Sequence, residues 1–155
     1  MTKPAIAKKT LYDQDFLAWI EDIADKLKAR EFESLDLENL IEEINSLGAS
    51  QRRELLSRLT VLLEHLLKRI YVDLPQEFNG WVRTIRNQRL ELEILITQSP
   101  SLKSIWLQSF SEAWRLARKR VNKDYPLVEF PDSWQFSYEI EDLLDVDFWE
   151  ILGSI

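Results

Sequence analysis

The sequence predicts an all-α fold: a single compact helical bundle of about five long helices plus a short C-terminal helix. Three observations predict it. Apolar residues recur at three- and four-residue steps through most of the chain, the mark of helices with one buried stripe. Only three glycines occur in 155 residues, and strand-like alternation is scarce. The apolar runs are separated by proline-bearing segments, which end or start helices.

The first helix is expected from about Asp13 to Arg30, with Asp13 at the N-cap and Phe16, Trp19, Ile20, Ile23 and Leu27 as its buried stripe. SLDLENLIEEINSLG, residues 34–48, reads as a short second helix. Asp36 caps it, Leu37, Leu40, Ile41, Ile44 and Leu47 form its stripe, and Gly48 ends it by taking a left-handed conformation at little cost. Ser50 is expected to cap a long third helix that reaches about Val72 and stops at the Asp-Leu-Pro of 73–75. A fourth helix starts near Asn79 or Gly80 and runs to about Gln98. Ser-Pro-Ser-Leu, residues 99–102, breaks the chain and starts a fifth helix that reaches about Asn122. Residues 125–136, with two prolines and several aromatics, read as an extended loop packed on the bundle, and a last short helix is expected over about Tyr138 to Leu144. A basic tail over 1–11, one helical domain over 12–150 and a C-terminal tail over 151–155 complete the organisation.

The chain has no cysteine, so disulfides and thiolate metal sites are excluded, in keeping with a reducing compartment. No apolar run approaches the roughly 18 residues of a membrane span, and residues 1–10 lack the apolar stretch of a signal peptide, so a cytoplasmic setting without membrane contact is expected. The net charge of -7 is uneven. Residues 1–43 carry 6 basic and 11 acidic side chains, residues 44–123 carry 14 and 7, and residues 124–155 carry none and 9. Either the acidic ends fold over the basic middle, or the middle offers a basic face to an anionic partner.

Polar residues inside apolar runs are the candidates for chemistry. On the third helix, with Leu59 at 0°, the leucines from Leu55 to Leu67 together with Ile70 fill an arc of about 140°. His65, the only histidine, lies outside that arc near about 240°, beside Val61 and Val72, with Lys68 and Arg69 to either side. Part-buried there, it needs a partner. Glu43 at the rim of the second helix, and Gln88 and Arg89 on the face of the fourth, are expected to join His65 and Lys68 in one polar network. As structure, such a network fixes how helices dock. As chemistry, Arg89 and Lys68 bind an anion, His65 exchanges a proton and Glu43 orients it. No metal ligand spacing, P-loop, Rossmann glycine run or nucleophile motif is present, and no cofactor or metal is expected. The basic run at 115–123 fits a helix C-terminus better than a nucleic-acid surface. Trp19, Trp81, Trp106 and Trp114 belong to core stripes, whereas Trp134 and Trp149 are expected at the surface. Residues 142–152 end the chain with Phe148 and Trp149 as a plug for the bundle or as a docking segment for a partner protein.

The order of these pieces resembles a bacterial family, common in cyanobacteria, catalogued as domain of unknown function twenty-nine. The matching pieces are YDQDFLAW at 12–19, DLENLIEEINSLG at 36–48, RLTVLLEHLLK at 58–68, GWVRTIRNQR at 80–89, SPSL at 99–102, FP at 130–131 and LLDVDFW at 143–149. The resemblance implies an all-helical domain and brings no assigned activity. It places Glu42, Glu43, Leu47, Gly48, His65, Lys68, Trp81, Ile85 and Arg89 on positions typical of the family, and the chain departs from the family's pattern at Asn45, where an acid is expected, at Arg69, where an aromatic is usual, and before FP, where KDYPLVE replaces a more usual Thr-Gly turn. The expected function is a helical binding or regulatory module acting through protein or small-ligand contacts. The alternatives are a small enzyme acting on an anionic substrate at the Glu43, His65, Lys68 and Arg89 cluster, and nucleic-acid binding through the basic middle.

Overall fold

The structure is a computed structural model that describes residues 10–152; the remainder of the two expected tails, residues 1–9 and 153–155, lies outside the described residues. Seven α-helices and no strand occur among the described residues, and four of the helices are long. In chain order they are α1 (Leu11–Gln14), α2 (Phe16–Lys28), α3 (Leu37–Tyr71), α4 (Phe78–Gln98), α5 (Trp106–Asp124), α6 (Ile140–Asp145) and α7 (Phe148–Leu152). Short 3-10 turns precede α3, α4 and α5. The chain divides into two compact units, residues 1–48 and 49–155.

Two expectations about boundaries are corrected. The second and third expected helices are one helix of 35 residues, and Gly48 sits inside it with a helical backbone rather than ending it. A helical glycine costs only about 1 kcal/mol against alanine. No proline lies near Gly48, and the apolar spacing carries on in phase from Leu40, Ile44 and Leu47 through Gln51 to Leu55 and Leu59. At the other end, the first helix is interrupted. Asp15 takes an extended conformation (φ -151, ψ 93), and its carboxylate accepts from the Ala18 N–H, so Asp15 rather than Asp13 is the N-cap of α2. Thr10 caps the single turn of α1.

The second unit holds the core. Leu55, Leu59, Leu62, Leu63 and Leu66 of α3 are fully buried against Ile85, Leu92, Leu95 and Ile96 of α4 and Phe110, Ala113 and Ala117 of α5. A smaller cluster joins Leu67, Val72, Trp81, Val121 and Phe130. The loop at 125–139 is non-helical and packed, as its prolines and aromatics require. Trp134 overturns its surface assignment: it is 4% exposed, its ring 5.2 Å from Phe148 and its indole N–H bonded to the Ser137 carbonyl. Phe148 is buried beside it, so the C-terminal segment plugs this core. A short helix in the right place was expected, but α7 was read as tail, because five residues carry too little periodicity to register.

The first unit differs. Of its described residues only Trp19 and Ile23 are buried. Phe16, Ile20 and Leu27 of α2, and Leu37, Ile41, Ile44 and Leu47 of α3, expected inside, are 42% to 70% exposed.

Candidate functional site

Each candidate side chain has partners of its own. Arg89 on α4 is buried, and it holds the C-terminal segment rather than an anion. Its Nε donates to the Leu143 carbonyl at 2.9 Å, one Nη donates to the Val146 carbonyl, and the other reaches Asp147 at 3.3 Å. Burial pulls the guanidinium below its ordinary pKa, while Asp147 works the other way. The carbonyl partners are backbone atoms of residues 143 and 146, which no side-chain pattern announces.

His65 points its Nδ1 at the Val61 carbonyl, 2.8 Å away and one turn back on α3. A carbonyl only accepts, so Nδ1 carries the proton and Nε2 is left as the acceptor of a neutral ring. Burial lowers the pKa of His65, Lys68 lowers it further, and the Val61 bond and Glu64 oppose this. Lys68 is paired with Glu64 at 3.2 Å, and Arg120 of α5 reaches the second oxygen of the same carboxylate at 3.4 Å. Gln88 accepts from Arg58 at 3.4 Å. Glu43 belongs to the first unit, where it accepts the hydroxyl proton of Tyr12. No hydrogen bond or ion pair joins Glu43, His65, Lys68 and Arg89 to one another. Helix angles gave the face of each residue correctly enough to mark it as polar and part-buried, but not the neighbour that face would meet.

The acidic C-terminal region does meet the basic middle at two places, Asp147 on Arg89 and Asp132 on Arg118 at 2.6 Å. Arg69, at the position where an aromatic was expected, lies over the Phe78 ring at 3.8 Å and within 5.2 Å of Trp149, so it stacks where an aromatic would pack. Among the described residues no group of three or more His, Asp or Glu side chains is placed to hold a metal, and no helix is long and apolar enough to cross a membrane.

The feature that the sequence reading missed is a cleft in the first unit. It encloses about 430 Å³ between α2 and the first third of α3, lined by Phe16, Trp19, Ile20, Ile23, Ala24, Leu27, Leu40, Glu43, Ile44 and Leu47. Nine of these ten are apolar, and the tenth, Glu43, is occupied by Tyr12. Two polar anchors hold its walls. The Trp19 indole N–H donates to Asp36 at 3.1 Å, and Asp36 also receives the Asn39 side chain at 2.8 Å. Those bonds, Asn39 first, hold the Asp36 carboxyl below its ordinary pKa. Tyr12 packs edge-on against Phe16 and Trp19 while bonded to Glu43. The residues of this cleft form two stripes in the sequence; what the sequence does not show is that none of the described residues of the first unit covers them.

A family model described as "Domain of unknown function DUF29" matches residues 11–149. The chain belongs to that family. The match spans every helix of the structure but the last residues of α7, and it confirms the resemblance carried by the seven sequence pieces. No curated protein and no solved structure matches the chain.

Two predictions follow the geometry. Arg89→Met removes the donors to two carbonyls and should cost about 2 to 4 kcal/mol in a urea titration, with loss of the near-ultraviolet signal of Trp134 and Trp149. Tyr12, whose pKa is pushed up to about 12 chiefly by its hydrogen bond to Glu43, should ionise well above the ordinary 10 in an ultraviolet titration, and Glu43→Gln should bring it back toward 10. Because the folded value is raised, the bond stabilises the first unit below pH 10 and is lost as the pH rises toward 12.

Proposed function

We propose that this chain is a helical binding module, without chemistry of its own, that acts through the apolar cleft of α2 and α3. The observation that carries this reading is where the exposed large apolar side chains lie. Ten of the sixteen among the described residues fall within residues 11–47, although those residues make up less than a third of the chain. Single exposed leucines need no explanation, but a contiguous apolar patch on a soluble protein marks an interaction surface. The cleft has the form of a groove that takes an amphipathic helix: apolar side chains of two helices line it, and charged residues lie outside them.

The acid/base alternative draws no support from the contacts of Glu43, His65, Lys68 and Arg89, each of which is already engaged. The nucleic-acid alternative is weakened by pairing. Arg58, Lys68, Arg89, Arg115, Arg118 and Arg120 of the basic middle all hold carboxylates.

A neutral apolar dye, Nile red, tests the reading in dilute protein. The dye should brighten on the parent chain and lose most of that signal with Ile44→Asp or Leu47→Asp. Both positions are exposed, so the substitutions should leave the far-ultraviolet circular dichroism unchanged. Dye binding that ignores both substitutions would move the binding surface elsewhere.

A further inference from the structure

We infer that the occupant of this cleft is the same face of a second copy of the chain, the two copies pairing about a two-fold axis into a four-helix bundle. The inference rests on the reading of the cleft as a binding surface and names its partner.

The first argument is area. Five of the side chains that line the cleft are about half exposed or more, Phe16, Ile20 and Leu27 on α2 with Ile44 and Leu47 on α3, and Leu17, Leu37 and Ile41 of the same two helices are exposed as well. Covered completely, they approach the roughly 800 Å² that each partner gives to an interface of standard size. The patch is therefore large enough to hold a dimer by itself. It is also the wrong architecture to stand uncovered. Two helices bury one stripe each only if a second layer lies on them, and closing two helical hairpins on one another is the simplest way to supply that layer.

The second argument is charge. The acidic balance of the first unit suggests repulsion between copies, but its charges are sorted along α2. Residues 13–22 carry four acidic side chains and no basic one, Asp25 follows, and residues 26–30 carry Lys28, Arg30 and Lys26, which pairs with Asp22 of its own helix at 2.8 Å, and no acidic one. A two-fold axis crossing α2 near its middle runs the two copies of this helix antiparallel. The acidic half of each α2 then faces the basic half of the other, which offsets part of the repulsion between two acidic units. Glu21 and Lys28 both lie on the solvent side of the apolar stripe, where such cross-pairs form.

Sedimentation equilibrium of the full chain tests this. The parent should show a mass of about twice the 18.4 kDa of one chain at micromolar concentration. Ile44→Asp or Leu47→Asp should weaken association by about tenfold or more, while Leu90→Asp, an equally exposed position of α4, should leave it unchanged. Lys28→Glu should weaken association, and adding Glu21→Lys to the same chain should restore it. A dimer indifferent to these substitutions would place the interface elsewhere and overturn the inference. A monomer that still binds Nile red at the cleft would overturn self-pairing and leave the binding module standing, with a different protein as partner. A monomer that binds no dye would overturn both, because the cleft would then be covered within the chain.

Discussion

The buried leucine arc of α3 is the constraint on which the second unit depends. Leu55, Leu59, Leu62, Leu63 and Leu66 have no exposed surface, and the core side chains of α4, α5 and the C-terminal segment are arranged around them. Removing any one of these leucines would open a cavity at the centre, where such truncations cost about 2 to 5 kcal/mol. The polar groups near this arc are consequences of it. His65 and Lys68 sit beside it on the same helix, part-buried, and they bond within reach: His65 to the Val61 carbonyl one turn back and Lys68 to Glu64. Arg89 solves a second problem set by the core. The short helices α6 and α7 have too few residues to be stable alone, and Arg89 holds them by binding the Leu143 carbonyl of α6 and the Val146 carbonyl of the turn that follows, beside the buried Phe148.

The first unit obeys a different constraint. Its helices are as amphipathic as the others, yet only Trp19 and Ile23 are buried. Its order is held by polar bonds at the cleft walls, Tyr12 to Glu43 and Trp19 to Asp36, which are specific but contribute modestly. An apolar face that the described residues leave open is the physical content of the proposed binding reading.

Much of this was readable in the sequence. The helical class, the leucine arc, the packed aromatic loop and the core positions of Trp19, Trp81 and Trp106 followed from periodicity and from proline placement. What failed has one cause. Periodicity says which residues share a face, and it is silent on what that face meets. Hence the stripes of α2 and of the start of α3 were read as buried, Trp134 was read as exposed because it lies outside any helix, and Arg89 was assigned to His65 and Glu43 when its partners are carbonyls fifty-odd residues away. Gly48 failed for a different reason: glycine is permitted to end a helix but not required to, and here nothing else stops it.

The most direct measurement is amide hydrogen exchange along α3 in dilute protein. The account predicts two unequal parts of one helix. Amides from Leu55 to Leu67, beneath the core, should exchange only through global unfolding, while in protein diluted to the monomer those from Leu40 to Leu47, beneath a cleft that no described residue of the first unit covers, should exchange through local opening and far faster. Uniform protection from Leu40 to Leu67 would contradict it, because the first part of α3 would then be covered as fully as the rest.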